Sequence, residues 1–210
     1  MTIHTEQQLL SMLKLQHAMN QKVHDNWREQ DFKWYRAIWV ECAELMDHYG
    51  WKWWKKQEPD IEQVKLELVD IWHFGLSDML QREAAQDIAQ TLAGLVNTPL
   101  HTDDFRTTLE RFAEATLNQR RFMPSEFFAL LNAAELPFTE LYRHYIGKNV
   151  LNFFRQDHGY QDGSYIKVWH GREDNEHLAQ IVQSLSADAD DYQEQVYQAL
   201  SERYPKMQTI

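Results

Sequence analysis

Cysteine, glycine and proline are all scarce in this 210-residue chain, and each scarcity excludes something. The single Cys42 cannot form an internal disulfide, which rules out a disulfide-stapled scaffold and suits a reducing compartment. Seven Gly and five Pro supply few tight turns, and alternating runs bounded by turn residues are hard to find, so an all-β fold is excluded. No apolar stretch approaches the length that crosses a bilayer, and the opening Met1-Thr2-Ile3-His4-Thr5-Glu6 has neither the basic region nor the apolar segment of a leader. A cytoplasmic protein with no membrane partner is expected. Positive charge is also short: 21 Lys plus Arg against 32 Asp plus Glu give a net charge of −11, the wrong sign for a general nucleic-acid binder.

What remains is a hydrophobic share of 43% and a charged share of 25%, which exclude wholesale disorder and suffice for a real core. The expected fold is all-α: a bundle-like helical core in a single domain over residues 1–210, with room for a rigid and a mobile lobe. Thr5 and Gln8 stand at capping-box spacing before Leu9, Leu10, Met12 and Leu13, predicting a first helix that runs to about Asn20. A second helix carries Tyr35, Ile38, Cys42, Leu45 and Tyr49 and ends at Gly50. Asp60, with Gln63 three residues on, caps a long third helix through Val64, Leu68, Ile71, Trp72, Leu76, Met79 and Leu80. Further helices are predicted over about 84–97, 103–121 and 125–135, and from Pro137 towards Asp157, with Gly147 inside it as a point where the helix could break. Residues 158–171 read as loop, followed by helices over about 174–185 and 189–203.

Chemistry gathers first on the second helix. Glu41 and Glu44 are three residues apart, hence on one side of it, with about 5–6 Å between Cβ atoms. Glu41 also lies between Ile38 and Leu45 on the face meant for the core, where an ionised acid is costly unless paired or metal-bound. Glu67 and Asp70 repeat the device on the third helix. Two such helices packed antiparallel would bring four carboxylates together, a hard-oxygen set that selects Mg²⁺ or Mn²⁺ and points to phosphate chemistry. A di-iron bundle site fits poorly, because it wants Glu-x-x-His on two helices and only Asp70-x-x-His73 is found.

The interval 147–171 holds four of the seven glycines, with Lys148, Arg155, Lys167 and Arg172 dense in or beside it for so acidic a chain. Such a segment is equipped to close over a polyphosphate, and Asn149 and Asn152 offer amides that can donate to and accept from a pyrimidine edge. Trp51, Trp53 and Trp54, beside Lys52, Lys55 and Lys56, could stack on a base or form a dimer contact. Trp53 and Lys55 are counted among the substrate-binding candidates. Cys42 is read as a small packing residue.

These residues resemble one family, the dimeric all-α dUTP diphosphatases of the wider all-α nucleotide pyrophosphohydrolase group. The resemblance rests on Leu15-Gln16-His17-Ala18-Met19-Asn20, on Glu41 to Asp47 with Trp51-Lys52-Trp53-Trp54-Lys55, and on Glu67 to Phe74. Its most specific part is Lys148 to Asn152, Phe154-Arg155-Gln156, Gly159-Tyr160, Gly163-Ser164-Tyr165 and Gly171 to Asn175. The resemblance implies a homodimer that hydrolyses dUTP, and dUDP, to dUMP with Mg²⁺. It implies Glu41, Glu44, Glu67 and Asp70 as metal ligands, with Glu41 or Glu44 also deprotonating the attacking water. Gln16 and Asn20 would lie at the nucleotide, Asn149 or Asn152 at uracil, and Lys148, Arg155, Tyr160 and Lys167 at sugar and phosphates. Residues from about 83 to 140 carry no such motif. Two other readings stand beside this one: a helical pyrophosphohydrolase for another nucleotide, such as dCTP or a damaged one, and a helical dimeric interaction protein whose acids are merely surface.

Overall fold

The structure, a computed structural model, describes residues 2–96, 98, 100–186, 189 and 191–205, without the side chains of Thr2 and Ile3. The all-α expectation holds. Helices α1 (Thr2–Val23), α2 (Trp34–Tyr49), α3 (Ile61–Leu80), α4 (Ala85–Val96), α5 (Phe105–Gln119), α6 (Pro124–Ala133), α7 (Phe138–Asp157), α8 (Asp174–Ser184) and α9 (Tyr192–Arg203) carry the chain, with a 3-10 turn at Trp27–Gln30. The chain divides into two compact units, Met1–Tyr142 and Arg143–Ile210, the boundary falling inside α7.

In the first unit α3 is the central element. Val64, Leu68, Val69, Ile71, Trp72, Leu76, Met79 and Leu80 are buried on nearly every side of it, the pattern of a helix enclosed by others. α2 and α1 flank α3, α4 packs on α1, and α5 bridges α2 and α6. Trp72 stacks on Phe127 at 5.3 Å with an interplanar angle of 10°, Phe122 meets Trp72 edge-on, and Phe112 lies tilted against Phe127. Gly75 makes this possible, since a Cβ there would stand 2.7 Å from the Phe122 ring.

The helix ends follow local chemistry. The Asp60 carboxylate accepts from the Gln63 amide at 3.2 Å, Asp104 accepts from the amides of Arg106 and Thr107, Pro124 opens α6, and Gly50 closes α2 at φ +88°. Thr5 does not cap. It lies inside α1, which begins at Thr2 because nothing between the two residues breaks a helix. At its other end α1 runs one turn past Asn20, to Val23.

Asp78 ties α3 to the α5–α6 connection. Its buried carboxylate accepts from both terminal nitrogens of Arg82 and, at 2.8 Å, from the Phe122 amide. Asp78→Ala leaves that amide buried without an acceptor and the guanidinium without its counter-charge, so urea denaturation is expected to show a loss of about 3 kcal/mol. A loss under about 1 kcal/mol would mean that water replaces the carboxylate.

The second unit contains the rest of α7, a short hairpin, α8 and α9. Two expectations are corrected here. α7 is unbroken through Gly147, whose missing side chain serves packing: a Cβ there would meet Val182 at 2.6 Å and Leu178 at 3.5 Å, so α8 lies close only because residue 147 is glycine. The stretch read as loop ends in two antiparallel strands, β1 (Val168–Trp169) and β2 (Arg172–Glu173), joined by His170 and Gly171 at φ +50° and +81°. Positive φ at both central residues is the requirement of the tightest hairpin turn. The hairpin buries Trp169, which stacks on His177 at 5.2 Å, and that imidazole donates from Nε2 to the Trp169 carbonyl at 2.9 Å. α9 begins at Tyr192. The start expected at 189 runs through Asp190, outside the described residues.

Candidate functional site

α2 and α3 pack side by side and present their acids to one another. Glu41, Glu67 and Asp70 each offer a carboxylate oxygen, and these oxygens all lie within 4.8 Å of one another. Glu67 is buried, and Glu41 and Asp70 half-buried. Three carboxylates so close cannot all be ionised without a counter-charge. Burial pushes the Glu41 carboxyl up to about 8, helped by its hydrogen bond with Glu67 and by the charges of Asp70, Glu67 and Glu44. At neutral pH the proton is thus held between Glu41 and Glu67. A polyvalent cation would do the same work better, so the donor set fits a hard divalent metal.

The fourth acid stands apart. Glu44 is exposed, outside the close triangle, and reaches Glu41 through its charge alone. With Trp39, Val40, Ala43, Asp47 and His48 it lines an open hollow of about 340 Å³. His48 lies 3.5 Å from the Glu67 carboxylate, a cation when protonated that position-counting alone did not place. Burial, then the neighbouring Glu41, pushes the Cys42 thiol up to about 12, which removes it as a nucleophile at neutral pH.

Below the acids the polar face of α3 continues. His73 Nδ1 stands 2.7 Å from the Gln16 side-chain oxygen, Gln16 Nε2 donates to Asn20 Oδ1 at 2.9 Å, and Asn20 Nδ2 donates to the Ser77 hydroxyl at 2.9 Å. The Ser77 hydroxyl in turn lies 2.9 Å from the His73 carbonyl. Gln16 and Asn20 therefore sit together on α1, buried against α3. Trp53 is different: it stands 90% exposed in the α2–α3 connection, its ring edge against Trp54, and Lys55 is exposed in the same segment.

The second unit holds a polar cluster of its own. Asp174, fully buried, accepts from Arg155 Nε at 2.8 Å and Nη2 at 2.9 Å, and from the Tyr165 hydroxyl at 2.9 Å. Burial opposes charge on Asp174, yet the Arg155 bonds outweigh it and hold the carboxyl below its usual range. Arg155 Nη1 also donates to Asn152 Oδ1 at 3.3 Å, and its guanidinium lies 5.7 Å from the centre of the Tyr160 ring. Arg155 is thus neutralised within its own unit. Nothing in composition marked Asp174 as its partner, because the pairing spans 19 residues and the hairpin. Lys148 is buried and donates to Asn175 at 3.3 Å, whereas Lys167 is exposed and pairs with Glu173 at 3.0 Å. Asn149 is completely buried, and neither its side-chain oxygen nor its nitrogen makes a hydrogen bond. The amide bears on the Tyr145 hydroxyl, where it opposes the rise that burial imposes. An orphaned buried amide costs about 1–3 kcal/mol, a cost that a hydrogen-bonding ligand would remove.

Fold and site together define an all-helical protein with a carboxylate centre suited to a divalent cation. A protein-family model described as dUTPase matches residues 8–160, which include both acid pairs, Gln16, Asn20 and the chain as far as Tyr160. The chain belongs to the all-α dUTPase family, whose members are dUTP diphosphatases, a class of nucleotide pyrophosphohydrolase. Lys167, Asp174 and Asn175 lie beyond the matched residues. No curated protein matches the chain.

Proposed function

We propose that the protein hydrolyses dUTP, and also dUDP, to dUMP in a Mg²⁺-dependent reaction, limiting uracil entry into DNA and supplying dUMP. The observation that carries the metal dependence is the close triangle of Glu41, Glu67 and Asp70, whose carboxylate oxygens lie within 4.8 Å of one another. With Glu44 these residues would hold Mg²⁺ or Mn²⁺, and a bound ion would neutralise phosphate oxygens and polarise the phosphorus. The chain's own part is proton handling and positioning. Glu41, which would give up its proton when the cation site is filled, would accept the proton of the attacking water, with Glu44 the other candidate. As the new P–O bond forms, the anhydride P–O bond breaks and pyrophosphate leaves from dUTP, or phosphate from dUDP.

Recognition roles are proposed by chemistry. Gln16 and Asn20 offer amides to the nucleotide, and Asn149, whose amide is otherwise unsatisfied, reads the uracil edge, with Asn152 beside it on α7. Lys148, Arg155, Tyr160 and Lys167 take sugar and phosphates, and Trp53 and Lys55 take base and phosphate from the exposed α2–α3 connection. A homodimer is also proposed. Trp39 and Trp51, each 46% exposed, line an apolar hollow of about 420 Å³ with Cys42, Ala43, Met46, Leu109 and Ala113, a surface that a second copy would cover. A reducing cytoplasm suits the lone buried thiol of Cys42.

The test is release of phosphate or pyrophosphate from dUTP, dUDP, dTTP, dCTP and UTP, with and without EDTA, on protein whose mass is measured by light scattering. Turnover confined to the deoxyuridine nucleotides, lost with EDTA, is expected from a species twice the chain's 25.2 kDa. Turnover of dCTP at a comparable rate would move the substrate, and full activity in EDTA would remove the metal.

A further inference from the structure

The four polar side chains between α1 and α3 form a chain with a direction. Gln16 is 5% exposed, Asn20 8%, His73 5% and Ser77 completely buried, so each must find partners inside the protein. One end of the chain is the backbone carbonyl of His73, which can only accept. The Ser77 hydroxyl lies 2.9 Å from it and 3.3 Å from Asn20 Oδ1, and when it donates to the carbonyl it turns a lone pair toward the Asn20 amide nitrogen at 2.9 Å. With Nδ2 of Asn20 thus engaged, its Oδ1 faces Gln16 and accepts from Nε2 at 2.9 Å. Gln16 is left with its oxygen toward Nδ1 of His73 at 2.7 Å, and that contact is a hydrogen bond only if the imidazole carries a proton on Nδ1. One amide alone cannot flip without setting donor against donor or acceptor against acceptor. The two can turn over only together, with Ser77 donating to Asn20 Oδ1 at 3.3 Å and His73 bare at Nδ1, so the Nδ1 proton selects the orientation.

Resting on the reading of Gln16 and Asn20 as nucleotide-facing residues, we infer that His73, through its Nδ1–H, is a positioning residue that locks both amides in one orientation and thereby sets discrimination between uracil and cytosine. The two bases differ by an exchange of acceptor for donor at the 4-position and of donor for acceptor at N3. An amide free to rotate by half a turn satisfies either base. A locked one satisfies a single pattern and leaves buried groups unpaired against the other, the arrangement that gives strong rejection. The same imidazole lies one helical turn beyond Asp70, so the lock is built on the helix that carries the acids.

The experiment compares wild type, His73→Asn, in which the amide nitrogen takes the place of Nδ1, and His73→Leu, which has no donor. The ratio of kcat/KM for dUTP to that for dCTP is expected to fall ~10-fold or more in His73→Leu, mainly through KM for dUTP, and to stay within about threefold of wild type in His73→Asn. An unchanged ratio in His73→Leu, or an equal loss in His73→Asn, would overturn the inference. A second measurement needs neither turnover nor a variant: long-range ¹⁵N–¹H spectra of the wild-type protein should show His73 protonated at Nδ1, and a proton found only on Nε2 overturns the lock outright. Absence of dUTP hydrolysis by wild type would count against the nucleotide reading of the site, while the spectrum decides the lock by itself.

Discussion

Glu41→Gln is expected to cut kcat/KM for dUTP by ~10³-fold while making the metal-free protein more stable. Both effects come from one environment. In the absence of a cation Glu41 keeps its proton because burial, the hydrogen bond with Glu67 and the charges of Asp70, Glu67 and Glu44 all disfavour its ionisation. Glutamine has the size and the donor of the protonated acid but no charge to lose, so it keeps the bond to Glu67 and removes the cost of ionisation. The gain is on the order of 1–2 kcal/mol at pH 8, after allowance for the solvent that reaches this half-buried group. For a chain of this length that is a rise of about 2–8 °C in Tm. With Glu41 neutral, one of the charges that would hold a divalent ion is gone, and so is the favoured base for the attacking water. Glu44→Gln, at an exposed position, should leave Tm within about 1 °C of wild type. A Glu41→Gln protein that retains activity within tenfold of wild type would take both the metal and the base away from Glu41.

Much of this was legible before any coordinates, and the reason is periodicity. The acids Glu41, Glu44, Glu67 and Asp70 stand at helical spacing on stripes bounded by Ile38, Leu45, Val64 and Leu68, so a sequence with period 3.6 already puts them on one side of two helices. Helix ends were legible where a side chain does the capping, as at Asp60. Thr5 failed as a cap because a capping residue needs the chain to leave the helix before it, and spacing does not report that. Gly147 was misread for a related reason: glycine signals freedom to bend, but here it answers a neighbour 31 residues later, Leu178, and Val182 beyond it. Sequence reading treated the four acids alike. The structure separates exposed Glu44 from the close three, a distinction set by where α2 lies across α3 rather than by spacing along either helix. The same limit hid Asp174 from Arg155 and Ser77 from Asn20, pairs whose partners are 19 and 57 residues apart.

Metal-free protein should lose stability with rising pH where Mg²⁺-bound protein does not, and the sign follows from the Glu41 carboxyl. Its value in the fold is about 8 against 4.5 for the free side chain, so between those limits the folded state binds the extra proton. Stability contributed by this group is complete below about pH 4.5 and is lost as pH rises through 8. Other groups act differently. Asp174, held low by Arg155 against its burial, loses its contribution only when pH falls below the usual carboxylate range, outside this window. His17, lowered by burial and then by Arg28, favours the fold more as pH rises toward 6.5, which opposes Glu41. The difference in Tm between wild type and Glu41→Gln cancels His17 and every other shared group, and it should widen steadily from pH 5.5 to 8.5 in EDTA. In saturating Mg²⁺ the wild-type loss should disappear, because a cation takes the place of the proton. Binding at pH 7 should then release about one proton, read by calorimetry in two buffers of different ionisation enthalpy. Equal binding heats in the two buffers would mean that no proton leaves, and that Glu41 is not the residue the ion displaces it from.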